Sequence, residues 1–395
     1  MMKIYKKAIL PLGFTANGLY CGIKKSKKLD LALLCSQTPA LAACFFTSNA
    51  FAAAPVRINQ EHLKHARVFK AIIVNSGNAN AFNKNSGLSA ARETVHSLAE
   101  ILRVRKENVL VASTGVIGRP LPVAKIKQAI PYLVKGLSRG GIDKAKLAIL
   151  TTDTFPKEIS VKCDIGGQTV TICGIAKGAG MIAPNLACSE RSRGVCPERS
   201  REATMLCFIL TDARITQRAL NLALLQSVEN SFNCITVDGC MSTNDSVMML
   251  ANGAAANKLI DGDKNLALFL RALQFVCLES AKLIVKDAEG ATKFIRVRVM
   301  QAKDFAQARK AALNIANSNL FKCAIYGENP NFGRIAAAVG ASGIDVSEKD
   351  LKIKVSPLQQ KEIKVEVWLK RGNASATVYT SDLTPEYIKI NADYN

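Results

Sequence analysis

The chain has 395 residues, enough for two or three structural units at roughly 100–200 residues each. Its 49% hydrophobic and 21% charged content excludes wholesale disorder. The excess of 53 Lys and Arg over 31 Asp and Glu gives +22, but the basic residues are spread along the chain and aromatics make up only 6%, so no nucleic-acid partner is expected.

The N-terminal segment carries two basic clusters around an apolar stretch that Pro11 interrupts. No apolar run approaches the roughly 18–20 residues needed to span a bilayer, so a cytoplasmic protein without a membrane partner is expected. The densest basic run, Lys24-Lys25-Ser26-Lys27-Lys28, is short, has no interleaved aromatics and reads as solvated charge. Twelve cysteines show no CxxC spacing and several sit in apolar runs, which reads as buried free thiols. His62 and His65 lie three apart in a predicted helix, but no Cys, Asp or Glu motif completes a metal site.

Residues 68–74 read as a buried strand that ends in a polar turn at 75–80. Ser89 is the expected cap of a helix with its apolar stripe at Ala91, Val95, Leu98 and Leu102, and His96 falls beside that stripe, which reads as a surface or boundary position. Strands are expected at 108–113 and 147–151, each running into small polar residues or glycine, the kind of strand-end loop that carries binding groups. The run at 177–185 places Lys177 before its glycines, the wrong order for a phosphate loop. Residues 188–203 nearly repeat an eight-residue unit, CSERSRGV then CPERSREA, and read as an exposed inserted loop.

A strong strand is expected at 204–212 and a helix at 219–228. A polar loop at 236–246 leads into the apolar run 247–251. A long helix at 266–285 precedes a loop at 287–293 and an alternating strand at 294–299. The last third reads as a smaller α+β unit: a helix over 303–318, then strands at 351–355, 363–369, 377–379 and 387–390. The alternation at 363–367 predicts a half-buried antiparallel strand.

Nine runs, in order, cover nearly the whole chain: NSGNANA (75–81), STGVIG (113–118), TTDTFPKE (151–158), KGAGMIAPN (177–185), ATML (203–206), VDGCMSTND (237–245), EGATK (289–293), GENPNFGR (327–334) and INADY (390–394). Together they make the chain resemble the ornithine acetyltransferases, the bifunctional glutamate N-acetyltransferases of arginine biosynthesis. The resemblance implies an α/β fold, layered as an N-terminal-nucleophile-type sandwich, with the smaller α+β unit at about 294–395.

It also implies self-cleavage between Ala203 and Thr204, into chains of 203 and 192 residues. Thr204 would then carry both a nucleophilic hydroxyl and a free α-amine. Such an amine titrates near 7.7–8.0 and can act as a base near neutrality. No histidine is needed, and none follows His96. The implied reaction moves acetyl from N-acetylornithine to glutamate through an acetyl-threonine, with acetyl-CoA as a possible co-substrate and no cofactor or metal.

By the same resemblance Thr114 and Gly115 form the oxyanion hole, and Thr151, Lys177, Thr204, Glu289 and Asn391 contact substrate. Lys177 would pair the α-carboxylate and Glu289 the distal ammonium of ornithine. An α2β2 assembly of the cleaved chains is implied as well.

Three departures stand out. About sixteen residues, the repeat, intervene before the scissile Ala-Thr, and cleavage is expected to survive them. The family's terminal Ser or Thr contact, five residues after the asparagine, would fall beyond Asn395, so the expectation is that this contact is missing or is replaced by Asn395 or the terminal carboxylate. The family's DGEG, DPNWGR and DGDTSTND appear as DAEG, ENPNFGR and DGCMSTND. The alternative readings are an N-terminal-nucleophile aminopeptidase or amidohydrolase, which would pass the acyl group to water, and a non-catalytic basic scaffold.

Overall fold

The computed structural model describes residues 2–188, 204–262 and 264–392. Among these, ten strands join in a first sheet: β1 (Met2–Tyr5), β2 (Phe14–Leu19), β3 (Leu31–Thr47), β4 (Phe69–Asn78), β5 (Val109–Val116), β6 (Lys157–Ile165), β7 (Gln168–Lys177), β8 (Leu186–Cys188), β9 (Leu206–Thr211) and β10 (Ser246–Ala251). The helices that accompany them are α1 (Ala54–His65), α2 (Lys84–Leu102), α3 (Val123–Lys135), α4 (Ile142–Ala148), α5 (Gln217–Glu229) and α6 (Lys264–Lys286).

Strand periodicity sorts these elements into layers. Cys207 and Ile209 of β9, with Val247 and Met249 of β10, pack against α5 and α6. Their alternate neighbours Leu206, Phe208, Met248 and Leu250 face the other way and meet Val74 of β4 and Leu110 of β5. The far side of β4 and β5, including Ile73 and Val111, packs on Val95 and Leu98 of α2 and Ile126 and Ile130 of α3. The order is therefore helix, sheet, sheet, helix, the layered α/β sandwich expected from the motifs.

The 17-residue strand β3 joins the two halves of the sheet. Leu31–Cys35 pairs with β4, while Leu41–Phe46 pairs with β10, and the β4 register shifts between Cys35 and Ala40. Pro39 lies in that break, where a residue without an N–H interrupts no ladder bond.

The last third forms a second sheet, ordered β12-β13-β11-β14, from β11 (Phe294–Ala302), β12 (Lys352–Val355), β13 (Glu362–Trp368) and β14 (Ala374–Ser381). Its helices are α7 (Phe305–Ala316), α8 (Asn319–Tyr326), α9 (Phe332–Gly340) and α10 (Pro385–Ala392). Val297, Val365 and Val378 pack with Ala312 and Ile315 of α7 in a core of their own.

Several local expectations are corrected. Residues 147–151 are not a strand: α4 buries Ile142, Ala145 and Ala148 at helical spacing and leaves Leu147 exposed. Residues 387–390 lie in α10, because the Thr384 hydroxyl accepts the Tyr387 N–H at 3.1 Å and caps the helix. Ser89 does not cap α2, which already starts at Lys84. The polar cluster after residue 74 is still strand through Asn78, because its side chains find buried partners such as the Ser113 hydroxyl, which donates to Asn75 Oδ1 at 2.6 Å. β13 alternates as expected and is antiparallel to β12, but it is parallel to β11.

His62 is buried and its Nδ1 lies 2.8 Å from the Val109 carbonyl, whereas His65 faces outward, so the two share no ligand face. His96 is at the surface beside Glu100. The expected inserted loop, Ala203 and Asn395 lie outside the described residues, except that Cys188 ends β8. No helix of the described residues is long and apolar enough to cross a membrane.

Candidate active site

The β7–β9 register sets Lys177 opposite Leu206, two residues beyond Thr204. Lys177 is completely buried, and its ammonium donates to three oxygens. These are the Thr204 carbonyl at 2.9 Å, Thr151 Oγ1 at 2.8 Å and Thr114 Oγ1 at 3.2 Å. An ammonium has three N–H donors, so all of them are engaged. Four residues named from the motifs thus meet at one nitrogen: Thr114 from β5, Thr151 from the loop after α4, Lys177 from β7 and Thr204 from the entry to β9. In this arrangement Lys177 pins the main-chain carbonyl of Thr204.

Gly115 follows Thr114 inside β5 with φ +126°, a conformation open to glycine. A Cβ there would lie 2.4 Å from the Gly77 carbonyl carbon, so β4 and β5 close on each other only without a side chain.

Behind Lys177 runs a line of buried charge. Asp153 lies 3.9 Å from its ammonium and also pairs with Lys157, which in turn pairs with Asp287. Asp153 further accepts the N–H groups of Thr151 at 2.9 Å and Gly178 at 2.7 Å, so it fixes both loops that frame Lys177. Burial alone would raise the Asp153 carboxyl, but Lys177 and Lys157 hold it far below its usual range. Burial lowers the Lys177 ammonium, against the opposing pull of Asp153.

Thr204 is 1% exposed, and its hydroxyl lies 2.8 Å from Ser242 Oγ. Ser242 Oγ also accepts the Asn244 N–H at 3.0 Å, which fixes its rotamer. Asp245 accepts the N–H groups of Met205 at 2.9 Å and Ser242 at 3.2 Å, tying the loop 236–246 to the strand that carries Thr204. Its burial outweighs these bonds and raises the carboxyl to about 7.

Glu289 and Asn391 form a second group. Asn391 Nδ2 donates to Glu289 Oε2 at 3.0 Å, and the Glu289 N–H is held by the Ala179 carbonyl at 3.0 Å. A Cβ on Gly180 would fall 2.3 Å from Glu289 Oε2, so the carboxylate occupies the space that this glycine leaves. The pair is linked to the first group through the segment that follows Lys177, and the Glu289 charge acts on the Lys177 ammonium.

The sequence alone assigns no role to Ser242, Asp245, Asp153 or Lys157, although each lies inside one of the motifs VDGCMSTND and TTDTFPKE. The side-chain partnerships were not visible in one dimension.

The constellation combines a buried hydroxyl with a hydroxyl neighbour, a cation on its own carbonyl, a strand-end glycine and a carboxylate nearby. Comparison with known proteins gives these residues a family. The ArgJ family model matches residues 15–395. The arginine biosynthesis bifunctional protein ArgJ of Geobacter sulfurreducens is 44% identical over 97% of this chain and 98% of its own length. The glutamate N-acetyltransferase of Methanocaldococcus jannaschii is 41% identical over 97% of each chain. Among solved structures, the ornithine acetyltransferase of Mycobacterium tuberculosis complexed with ornithine is 36% identical over 47% of this chain and 100% of that one, with a TM-score of 0.45. The chain belongs to the ArgJ family, the acetyltransferases of arginine biosynthesis that its motifs resemble.

Proposed function

We propose that the protein transfers acetyl from N-acetylornithine to glutamate by a ping-pong reaction on Thr204. Maturation comes first. Thr204 Oγ attacks the carbonyl of the preceding residue and the C–N bond breaks, which turns the amide into an ester and frees the Thr204 α-amine; water then hydrolyses the ester, restoring the hydroxyl and leaving a carboxylate on the preceding residue. That amine then takes the proton of the Thr204 hydroxyl as Oγ attacks the acetyl carbonyl. Ornithine leaves with the proton, glutamate's amine attacks the acetyl ester, and Thr204 recovers its hydroxyl. Thr114 and Gly115 stabilise the oxyanion. Glu289 and Asn391 receive the distal end of the substrate, and Lys177, which also bonds Thr151, holds the nucleophile's main-chain carbonyl.

The observation that carries this reading is the single Lys177 ammonium on Thr114, Thr151 and Thr204 together. The reading includes no cofactor, acetyl-CoA as a second acetyl donor, and an α2β2 assembly of the cleaved chains in the cytoplasm.

The test incubates purified protein with N-acetylornithine and glutamate and follows ornithine, N-acetylglutamate and free acetate. The expected result is stoichiometric ornithine and N-acetylglutamate, abolished by Thr204→Ala. Acetate released in place of N-acetylglutamate would favour the amidohydrolase instead. No difference from Thr204→Ala would refute catalysis by Thr204.

A further inference from the structure

Alternation along β11 sends its side chains into two surroundings. Ile295, Val297 and Val299 enter the core that packs on α7. Arg296 and Arg298 take the opposite face. In the antiparallel register with β14, Tyr379 lies opposite Arg296 and Thr377 opposite Arg298. These four side chains line a cavity of about 320 Å³, together with Leu278 of α6 and Asn230, which follows α5. The cavity therefore lies where the second sheet meets the helices of the first. The residues of the candidate active site do not line it.

The positive charge in this cavity is unopposed. Among the described residues no carboxylate pairs with Arg296 or Arg298. Of the two acids whose charge reaches the lining, Glu279 is held by Lys282 at 2.8 Å and Glu229 is exposed at the end of α5. The Arg296 Nε is buried and has no hydrogen-bond partner among the described residues. A buried N–H without an acceptor is uncommon, and in a polar cavity it calls for one.

The donors agree in kind. Each guanidinium presents N–H groups in a planar fork that matches two oxygens of a carboxylate or a phosphate. Thr377 adds a hydroxyl. Burial raises the Tyr379 phenol above its usual range, so its hydroxyl stays protonated and can donate. Leu278 supplies an apolar wall for a short carbon skeleton.

We propose that this cavity is a binding site, separate from the active site, for a small phosphate- or carboxylate-bearing anion held by the Arg296 and Arg298 guanidinium groups.

The experiment is calorimetric titration of the purified protein, in chloride buffer near neutral pH, with inorganic phosphate and with malonate. Wild type should bind one equivalent of at least one probe per chain. Tighter binding of phosphate would assign the site to phosphate esters, and tighter binding of malonate to polycarboxylates. Arg296→Met and Arg298→Met should each weaken the preferred probe by roughly 10- to 100-fold, the scale of one charge-assisted hydrogen bond. Lys349→Met, which removes an exposed charge elsewhere, should bind like wild type. If Arg296→Met does not fold, the exposed Arg298→Met carries the comparison. No binding of either probe, or equal affinity in wild type and the arginine variants, would overturn the site. An equal loss in Lys349→Met would also overturn it, as attraction to net charge alone. The titration contains no acetyl donor, so its failure is distinct from failure of the acetyl-transfer reading.

Discussion

Replacing Lys157 by methionine tests the buried charge line most severely. Lys157 is fully buried, and the carboxylates it bridges, Asp153 and Asp287, have side chains 0% and 2% exposed. Methionine fills much of the same volume and removes one positive charge. Asp287 keeps only the Thr154 N–H, at 2.9 Å, and the Thr154 hydroxyl, while Asp153 keeps Lys177 at 3.9 Å. Removing one partner of a buried pair costs about 3–5 kcal/mol, because the remaining charge has no water to turn to. The loss should be read from urea unfolding of Lys157→Met in the Thr204→Ala background, which keeps one polypeptide under the proposal. Adding Asp287→Asn removes the stranded charge and should recover roughly half of that loss, in line with the coupling expected of residues in one network. A cost below about 1 kcal/mol, the scale of an exposed ion pair, would refute the claim that these charges are desolvated and interdependent.

Three further outcomes follow from single contacts. Ser242→Ala removes the hydroxyl beside Thr204 and leaves the Asn244 N–H unpaired; acetyl transfer should fall by roughly 10- to 100-fold, and a normal rate would exclude Ser242 from orienting Thr204. Gly180→Ala places a Cβ 2.3 Å from Glu289 Oε2, so KM for N-acetylornithine should rise several-fold, more than kcat falls; unchanged kinetics would detach Glu289 from the substrate. Asp245 is raised from the usual 3.8 to about 7, so its contribution to stability is full below about 4 and lost as pH rises through about 7. The melting temperature of Asp245→Asn minus that of wild type should therefore increase between pH 5 and pH 8, and a flat difference would contradict the raised carboxyl.

The parts of the fold legible in sequence are those with strong local patterns. The apolar run after Thr204 and the helical stripe of α6 were both readable, because their neighbours on either side carry the same period. The misread segments are short and ambiguous. Residues 147–151 hold apolar side chains that suit a strand, yet only Ala148 and Ile149 are buried and the helix before them sets the phase. Residues 387–390 were decided by a cap from Thr384, outside the apolar pattern. The long β3 passed unread, although its bend joins the two halves of the sheet.

At the site, Thr114, Thr151, Lys177 and Thr204 were reachable only through motif resemblance, since they come from four separate segments. What motifs could not give is stoichiometry of contact. That one Lys177 ammonium bonds Thr114, Thr151 and Thr204 at once is a three-dimensional fact.

The proposed catalysis turns on Thr204 becoming an N-terminal nucleophile. Intact mass spectrometry of the wild-type protein, before and after N-acetylornithine, tests this most directly. The predicted result is two chains of 203 and 192 residues, the shorter beginning at Thr204 and gaining one acetyl group when substrate is added without glutamate. A single full-length species in protein that transfers acetyl, or an acetyl group on the longer chain, would contradict it.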